Sequence, residues 1–173
     1  MRRFIERMAT GRWLMFLFIA YSVVFGTILL TLNELASVSG GYGILDFERG
    51  YSSQRVMEIL DSYGSEGMAL SSRIQLLDML NPALYSTIAA GLTYRLWVMR
   101  GPLWLAFVPY LAAVGDYLEN ITLFMITRSY PEVPDSLVAI SSNLSLLKNG
   151  LIIVAFVPLS VGLIAWLWRK ARA

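Results

Sequence analysis

The chain has 173 residues, 57% of them hydrophobic and 15% charged, with a net charge of +2. An average soluble domain is about a quarter charged; here the apolar residues fall in long runs, the pattern of membrane spans rather than of a soluble core. The sequence contains neither Cys nor His, which excludes disulfides, thiol nucleophiles, iron–sulfur ligation and imidazole ligation of haem or zinc. No cofactor or metal is implied. Acid–base chemistry would have to use carboxylates, Tyr, Lys or water, since the commonest base near neutral pH is missing. At this length, residues 1–173 read as a single membrane domain.

The basic residues 1–12 resemble the start of a signal peptide, but the apolar run after them, residues 13–32, is long for one. It reads as an uncleaved first span, long enough to cross about 30 Å of hydrocarbon as a helix. A long connection, residues 33–73, follows. Within it Gly40-Gly41-Tyr42-Gly43 reads as a turn, and Ser52 as the cap of a short helix with Val56, Ile59, Leu60 and Tyr63 on one side, stopped by Gly64. Ser65 and Glu66 start a further helix running into the second span. The expected result is an amphipathic, lid-like helix on the outer membrane surface, or one that merely packs the loop down.

The second span is read at residues 74–92 and the third at 103–127, joined by a short turn at Gly101-Pro102 that makes them antiparallel neighbours. The fourth covers residues 146–168. Pro82, Pro109 and Pro158 are expected in the middle of three of these helices, freeing carbonyls and kinking them. Trp13, Trp97, Trp104, Trp166 and Trp168 fall near one set of span ends, where interfacial anchors belong.

Charge placement gives the direction. Arg2, Arg3, Arg7, Arg12, Arg95, Arg100, Arg169, Lys170 and Arg172 fall on one side with a single acid, Glu6. Arg49, Arg55, Arg73, Arg128 and Lys148 fall on the other, mixed with most of the acidic residues. The excess of positive charge inside puts both termini in the cytoplasm. The fold expected is an all-α, four-transmembrane-helix bundle of a cytoplasmic (inner) membrane, with an extracytoplasmic amphipathic helix between spans one and two.

Charged groups inside a span cost several kcal/mol at the bilayer centre unless paired or hydrated. Asp116, Glu119 and Asn120 nevertheless share one face of the third span through their i, i+3, i+4 spacing. Asp78 and Asn81 lie toward the outer end of the second, Lys148 and Asn149 at that of the fourth, and Asn33 and Glu34 at that of the first. Four helices bringing polar groups to one depth suggest a shared chamber, with Lys148 as counter-ion to Asp116 or Glu119. A purely structural network locking the helices together is the alternative. Asp78, Asp116 and Glu119 are three acids for one nearby Lys148, and that surplus suggests a site holding a ligand, a cation or a proton. Asp78, Asn81, Tyr85, Asp116, Glu119, Asn120, Lys148 and Asn149 are the candidate ligand-binding residues.

Three functions fit these residues. The first is binding or transport of a small amphiphile, lipid or cation through the acidic pocket. The second is an accessory subunit of a larger membrane complex or a homo-oligomer, with Phe16, Phe18, Phe107 and Phe124 as contacts. The third is a membrane-embedded acid–base enzyme, an isomerase, cyclase or lipid-modifying hydrolase, with Asp116 or Glu119 as acid, Lys148 tuning it, and Asp78 or Tyr85 completing the site. Membrane lipid is a partner in every case. No phosphate loop, dinucleotide fingerprint or nucleophile triad is present, and the basic tails suit anionic lipid rather than nucleic acid.

Two stretches together carry a family resemblance. One runs from Gly50-Tyr51-Ser52 through Tyr63-Gly64-Ser65-Glu66-Gly67 to Asp78, Asn81-Pro82 and Tyr85; the other joins Asp116, Glu119 and Asn120 to Tyr130-Pro131 and Leu147-Lys148. The combination, over residues 50–148, resembles a group of small bacterial four-span membrane proteins of unassigned function. The resemblance implies that the acid–amide cluster belongs to the fold; where that group has Arg, this chain has Met68. A weaker likeness, in topology and intramembrane acids only, is to the emopamil-binding and sigma-2-receptor superfamily.

Overall fold

A computed structural model describes residues 2–48, 50–98 and 102–172; Arg49, Arg100 and the Gly101 half of the proposed turn lie outside the described residues. Every regular element among the described residues is helical. In chain order these are α1 (Arg2–Met8), α2 (Gly11–Val38), a 3-10 turn (Leu45–Phe47), α3 (Ser53–Asp78), α4 (Asn81–Thr93), a π turn (Tyr94–Val98), a second 3-10 turn (Leu103–Phe107), α5 (Val108–Ser129) and α6 (Asp135–Ala171).

Two helices, α2 and α6, are long and apolar enough to cross a membrane. They are also sparsely buried: Ile28, Thr31 and Leu35 are the only buried residues of α2. Phe16, Phe18, Leu30, Ile153 and Ile164 stand exposed along the two helices. The more polar α5 is the inner helix. It packs most extensively on α6 and also on α4, and it buries Asp116, Glu119 and Asn120. Small residues allow this close approach, with Ala89 and Ala90 of α4 and Ala112 and Ala113 of α5 all buried.

The connection between α2 and α3 is tied down rather than loose. Gly40 and Gly41 take positive φ, a conformation costly for a side chain with Cβ, and turn the chain off the end of α2. Ser52 caps α3, its hydroxyl accepting from the Arg55 N–H, as its position before the apolar stripe predicts. Val56, Ile59, Leu60 and Tyr63 are all buried, against Leu35 of α2, Leu123 and Ile126 of α5 and Val138 of α6. Gly64, at φ 56° and ψ −166°, bends α3 between its amphipathic first half and the part that leads to Asp78. Tyr63 donates to the Gly43 carbonyl, and Arg55 pairs with both Glu48 and Glu58.

Four expectations need correction. Residues 74–92 are not one helix: α3 ends at Asp78 and α4 begins at Asn81, with Pro82 in its first turn. Proline has no N–H to give and its ring crowds the carbonyl four residues earlier, here that of Asp78. Pro109 likewise sits in the first turn of α5, after a 3-10 turn, so only Pro158 is inside a helix. The last helix starts at Asp135, well before residue 146. Its Ser- and Asn-containing opening hides it from hydropathy, yet buries Val138, Ser141 and Ser145 against the α2–α3 connection and its neighbours. Finally, Asn33 and Glu34 face outward, because the buried stripe of α2 runs through Ile28, Thr31 and Leu35.

Candidate functional site

The break after α3 shapes the site. With the helix interrupted at Asp78, Asn120 on α5 reaches it, its Nδ2 2.9 Å from Oδ2 and 3.5 Å from the Asp78 carbonyl. Asn81, on the first turn of α4, donates to Oδ1 at 3.1 Å. Among the described residues, Asp78 is therefore held by two amides and no cation, which supports a carboxylate without neutralising it.

Lys148, on α6, provides an ammonium. Its Nζ lies 2.5 Å from Asp46 Oδ1, 2.5 Å from Glu119 Oε2 and 3.7 Å from Asp116 Oδ1. The contact to Asp46 is a hydrogen bond; that to Glu119 is an ion pair whose angles fall short of one. Asp46, Asp116 and Glu119 bring carboxylate oxygens within 4.8 Å of one another, a spacing suited to a cation, and the Lys148 ammonium stands beside all three. Glu119 is wholly buried, and its Oε1 has no hydrogen-bond partner. Lys148 itself is 6% exposed.

Beside this group opens a cleft of about 240 Å³. Asp46, Asp78, Asn81, Tyr85, Asp116 and Lys148 form its polar lining, and Tyr21 of α2 with Ile152 and Phe156 of α6 form the rest. A second void of about 20 Å³, the size of a water molecule, shares Asp46 and Asp78 with the cleft and includes Asn120. The Tyr85 hydroxyl is buried without a hydrogen-bond partner. Because α2 and α6 make no extensive contact with each other, Tyr21 and Phe156 wall the cleft from two separated helices.

A chain of hydroxyls lies beyond Glu119. Ser141 Oγ is 2.7 Å from the Tyr51 hydroxyl and 2.8 Å from that of Thr122, and Ser145 donates to the Glu48 carbonyl at 3.2 Å. Burial pushes the Tyr51 hydroxyl up to about 12.

Of the candidate residues, the structure gathers Asp78, Asn81, Tyr85, Asp116 and Lys148 around the cleft. Glu119 lies against Lys148 rather than in the cleft lining, and Asn120 holds Asp78. Asn149 donates to the Ser145 carbonyl on its own helix and does not line the cleft. Asn33 and Glu34 take no part.

Asp46 is the largest omission of the sequence reading. It sits on a short turn between apolar Leu45, which is buried, and Phe47, just after a glycine-rich turn. An acid at that point, on a connection whose next helix is amphipathic, is the signal available for a segment folded back over the bundle. Tyr21 was visible only as a lone tyrosine inside the first apolar run. No family model, curated protein or solved structure matches the chain.

Proposed function

We propose that the chain is a four-span protein of the bacterial cytoplasmic membrane, both termini inside, that binds an amphiphile with a cationic head group in the Asp78–Asp116 cleft. Besides α2 and α6, the kinked α3–α4 unit and α5 would be the remaining spans. Their lower hydropathy fits inner positions, where polar faces meet protein instead of lipid. Exposed apolar side chains along α2 and α6 support this reading, since a soluble protein rarely exposes so continuous an apolar surface.

The observation that carries the ligand reading is the charge balance of the cleft. Among the described residues, Asp46, Asp116 and Glu119 share one ammonium, that of Lys148, and Asp78 has only amide partners. A cationic head group would meet Asp78 and Asp116 with Tyr21 and Phe156 beside it, a combination that also favours cations through the aromatic faces. The volume is below the roughly 300–1,000 Å³ of a pocket that encloses a whole drug-sized ligand. It suits a head group whose chain leaves between α2 and α6 into the lipid.

The test is direct binding, in detergent, of a long-chain primary amine and of the alcohol of equal length. The amine should bind and the alcohol should not. Asp78→Asn and Asp116→Asn should each weaken amine binding by about tenfold, equal to about 1.4 kcal/mol. Equal binding of amine and alcohol, or full binding by both variants, would falsify the reading.

A further inference from the structure

The opposite end of the molecule holds a second arrangement of charge and apolar surface. There the π turn Tyr94–Val98 lies against α6. Trp97 donates its indole N–H to the Pro158 carbonyl at 2.6 Å, and its ring lies against Gly162. A Cβ on Gly162 would collide with the indole nitrogen, so only glycine admits this contact.

Two grooves flank that contact, with Leu96 bordering both. The larger, about 520 Å³, is lined by Leu92, Leu96, Leu159, Leu163 and Trp166 with Arg95. The smaller, about 310 Å³, runs past Leu105 and Ala165 to Arg169. Each groove is thus apolar apart from one arginine among the described residues. Among the described residues, neither Arg95 nor Arg169 pairs with a carboxylate. Glu6, the acid at this end, is held by Arg2 at 2.9 Å and by the Tyr94 hydroxyl at 3.0 Å. Lys170 and Arg172 lie over Trp166 and Trp168.

We infer that this end binds one anionic diacyl phospholipid, a chain in each groove beside the Trp97–Gly162 contact and the phosphate on Arg95 and Arg169. A guanidinium offers two parallel N–H donors to phosphate oxygens, and basic pockets between membrane helices on the cytoplasmic side suit anionic head groups. Two apolar grooves meeting at Leu96 match a two-chain lipid better than a single-chain one. The inference rests on the membrane-spanning reading but not on the ligand of the acidic cleft.

The experiment is native mass spectrometry of the full chain after exchange with defined lipids: phosphatidylglycerol, phosphatidylcholine with the same chains, and lysophosphatidylglycerol. One phosphatidylglycerol should be retained per chain, with phosphatidylcholine and the lysolipid retained at least tenfold less. Arg95→Gln with Arg169→Gln should abolish the preference for the anionic head group. Leu163→Trp, which fills the larger groove and leaves both charges, should also lower retention about tenfold. Equal retention of the two diacyl lipids, or full retention by Leu163→Trp, overturns the site in favour of diffuse attraction to a basic surface. Resistance of the protein to alkaline carbonate extraction from membranes tests the spanning reading separately. Release by carbonate would overturn both, whereas retention with no lipid preference overturns the lipid site alone.

Discussion

Lys148 on α6 reaches Asp46 across 102 positions of sequence, with Nζ 2.5 Å from the carboxylate Oδ1. The same ammonium lies 2.5 Å from Glu119 on α5. One side chain therefore joins the α2–α3 connection, α5 and α6 at a single buried point.

Removing that ammonium leaves Asp46, Asp116 and Glu119 facing one another without a counter-ion among the described residues. Lys148→Met should destabilise the protein by about 3–5 kcal/mol, the usual cost of breaking a buried ion pair from one side. Combining Lys148→Met with Glu119→Gln should recover a substantial part of the loss, because the neutral amide no longer leaves a buried charge unpaired. Thermal unfolding in detergent measures both. Equal losses in the single and double variants would show that the pair contributes nothing beyond packing.

Asp46→Asn should act locally. The connection keeps its other ties, Tyr63 to the Gly43 carbonyl and Tyr51 to Ser141, so the fold should persist. Amide exchange over residues 40–48 should nevertheless quicken relative to α5, since the ionic link to α6 is gone. Unchanged exchange there would assign Asp46 no anchoring role.

Tyr51 in this connection and Glu58 on α3 give opposite pH dependences. Burial raises Tyr51 from 10.0 to about 12, so its contribution to stability is complete below pH 10 and is lost as pH rises through 12. In Tyr51→Phe the loss of stability across that window should be shallower. Glu58 is held below its usual 4.5 by the Tyr42 hydrogen bond and then by Arg55. Its contribution is present above pH 4.5 and disappears as pH falls through the depressed value. Denaturant unfolding at stepped pH, with Tyr42→Phe as the comparison at the acid end, reads both slopes.

Gly162→Ala should lower stability by about 1–3 kcal/mol, the cost of overpacking a filled site. The added Cβ collides with Trp97 Nε1 and meets Cδ1 at 3.0 Å. Trp97→Phe in the Gly162→Ala background should recover part of the loss. Indole fluorescence of Trp97, with the other tryptophans replaced, follows the displacement of the ring directly.

Much of the architecture is legible in the sequence, for identifiable reasons. The apolar runs that become α2 and α6 declare themselves because both are long and apolar enough to cross a membrane, a property of local composition. The cap at Ser52, the buried stripe of Val56, Ile59, Leu60 and Tyr63, and the bend at Gly64 follow from local backbone chemistry and helical period. Asp116, Glu119 and Asn120 share a face because i, i+3 and i+4 do so on any helix.

What chain-local rules leave open is which segments meet. Asp46 beside Lys148, Tyr21 opposite Phe156 and Trp97 on Gly162 are all long-range meetings that depend on how whole helices pack. The outward turn of Asn33 and Glu34 has the same origin: period gives a helix its faces, but its neighbours select the face that is buried. The proline positions show a finer version. Loss of an N–H at Pro82 is evident from sequence, yet whether it kinks a helix or divides it depends on what receives the freed groups. Here Asn120, from another helix, reaches the Asp78 carbonyl and side chain, and the division at Asp78 makes a polar residue at a helix end into one wall of the cleft.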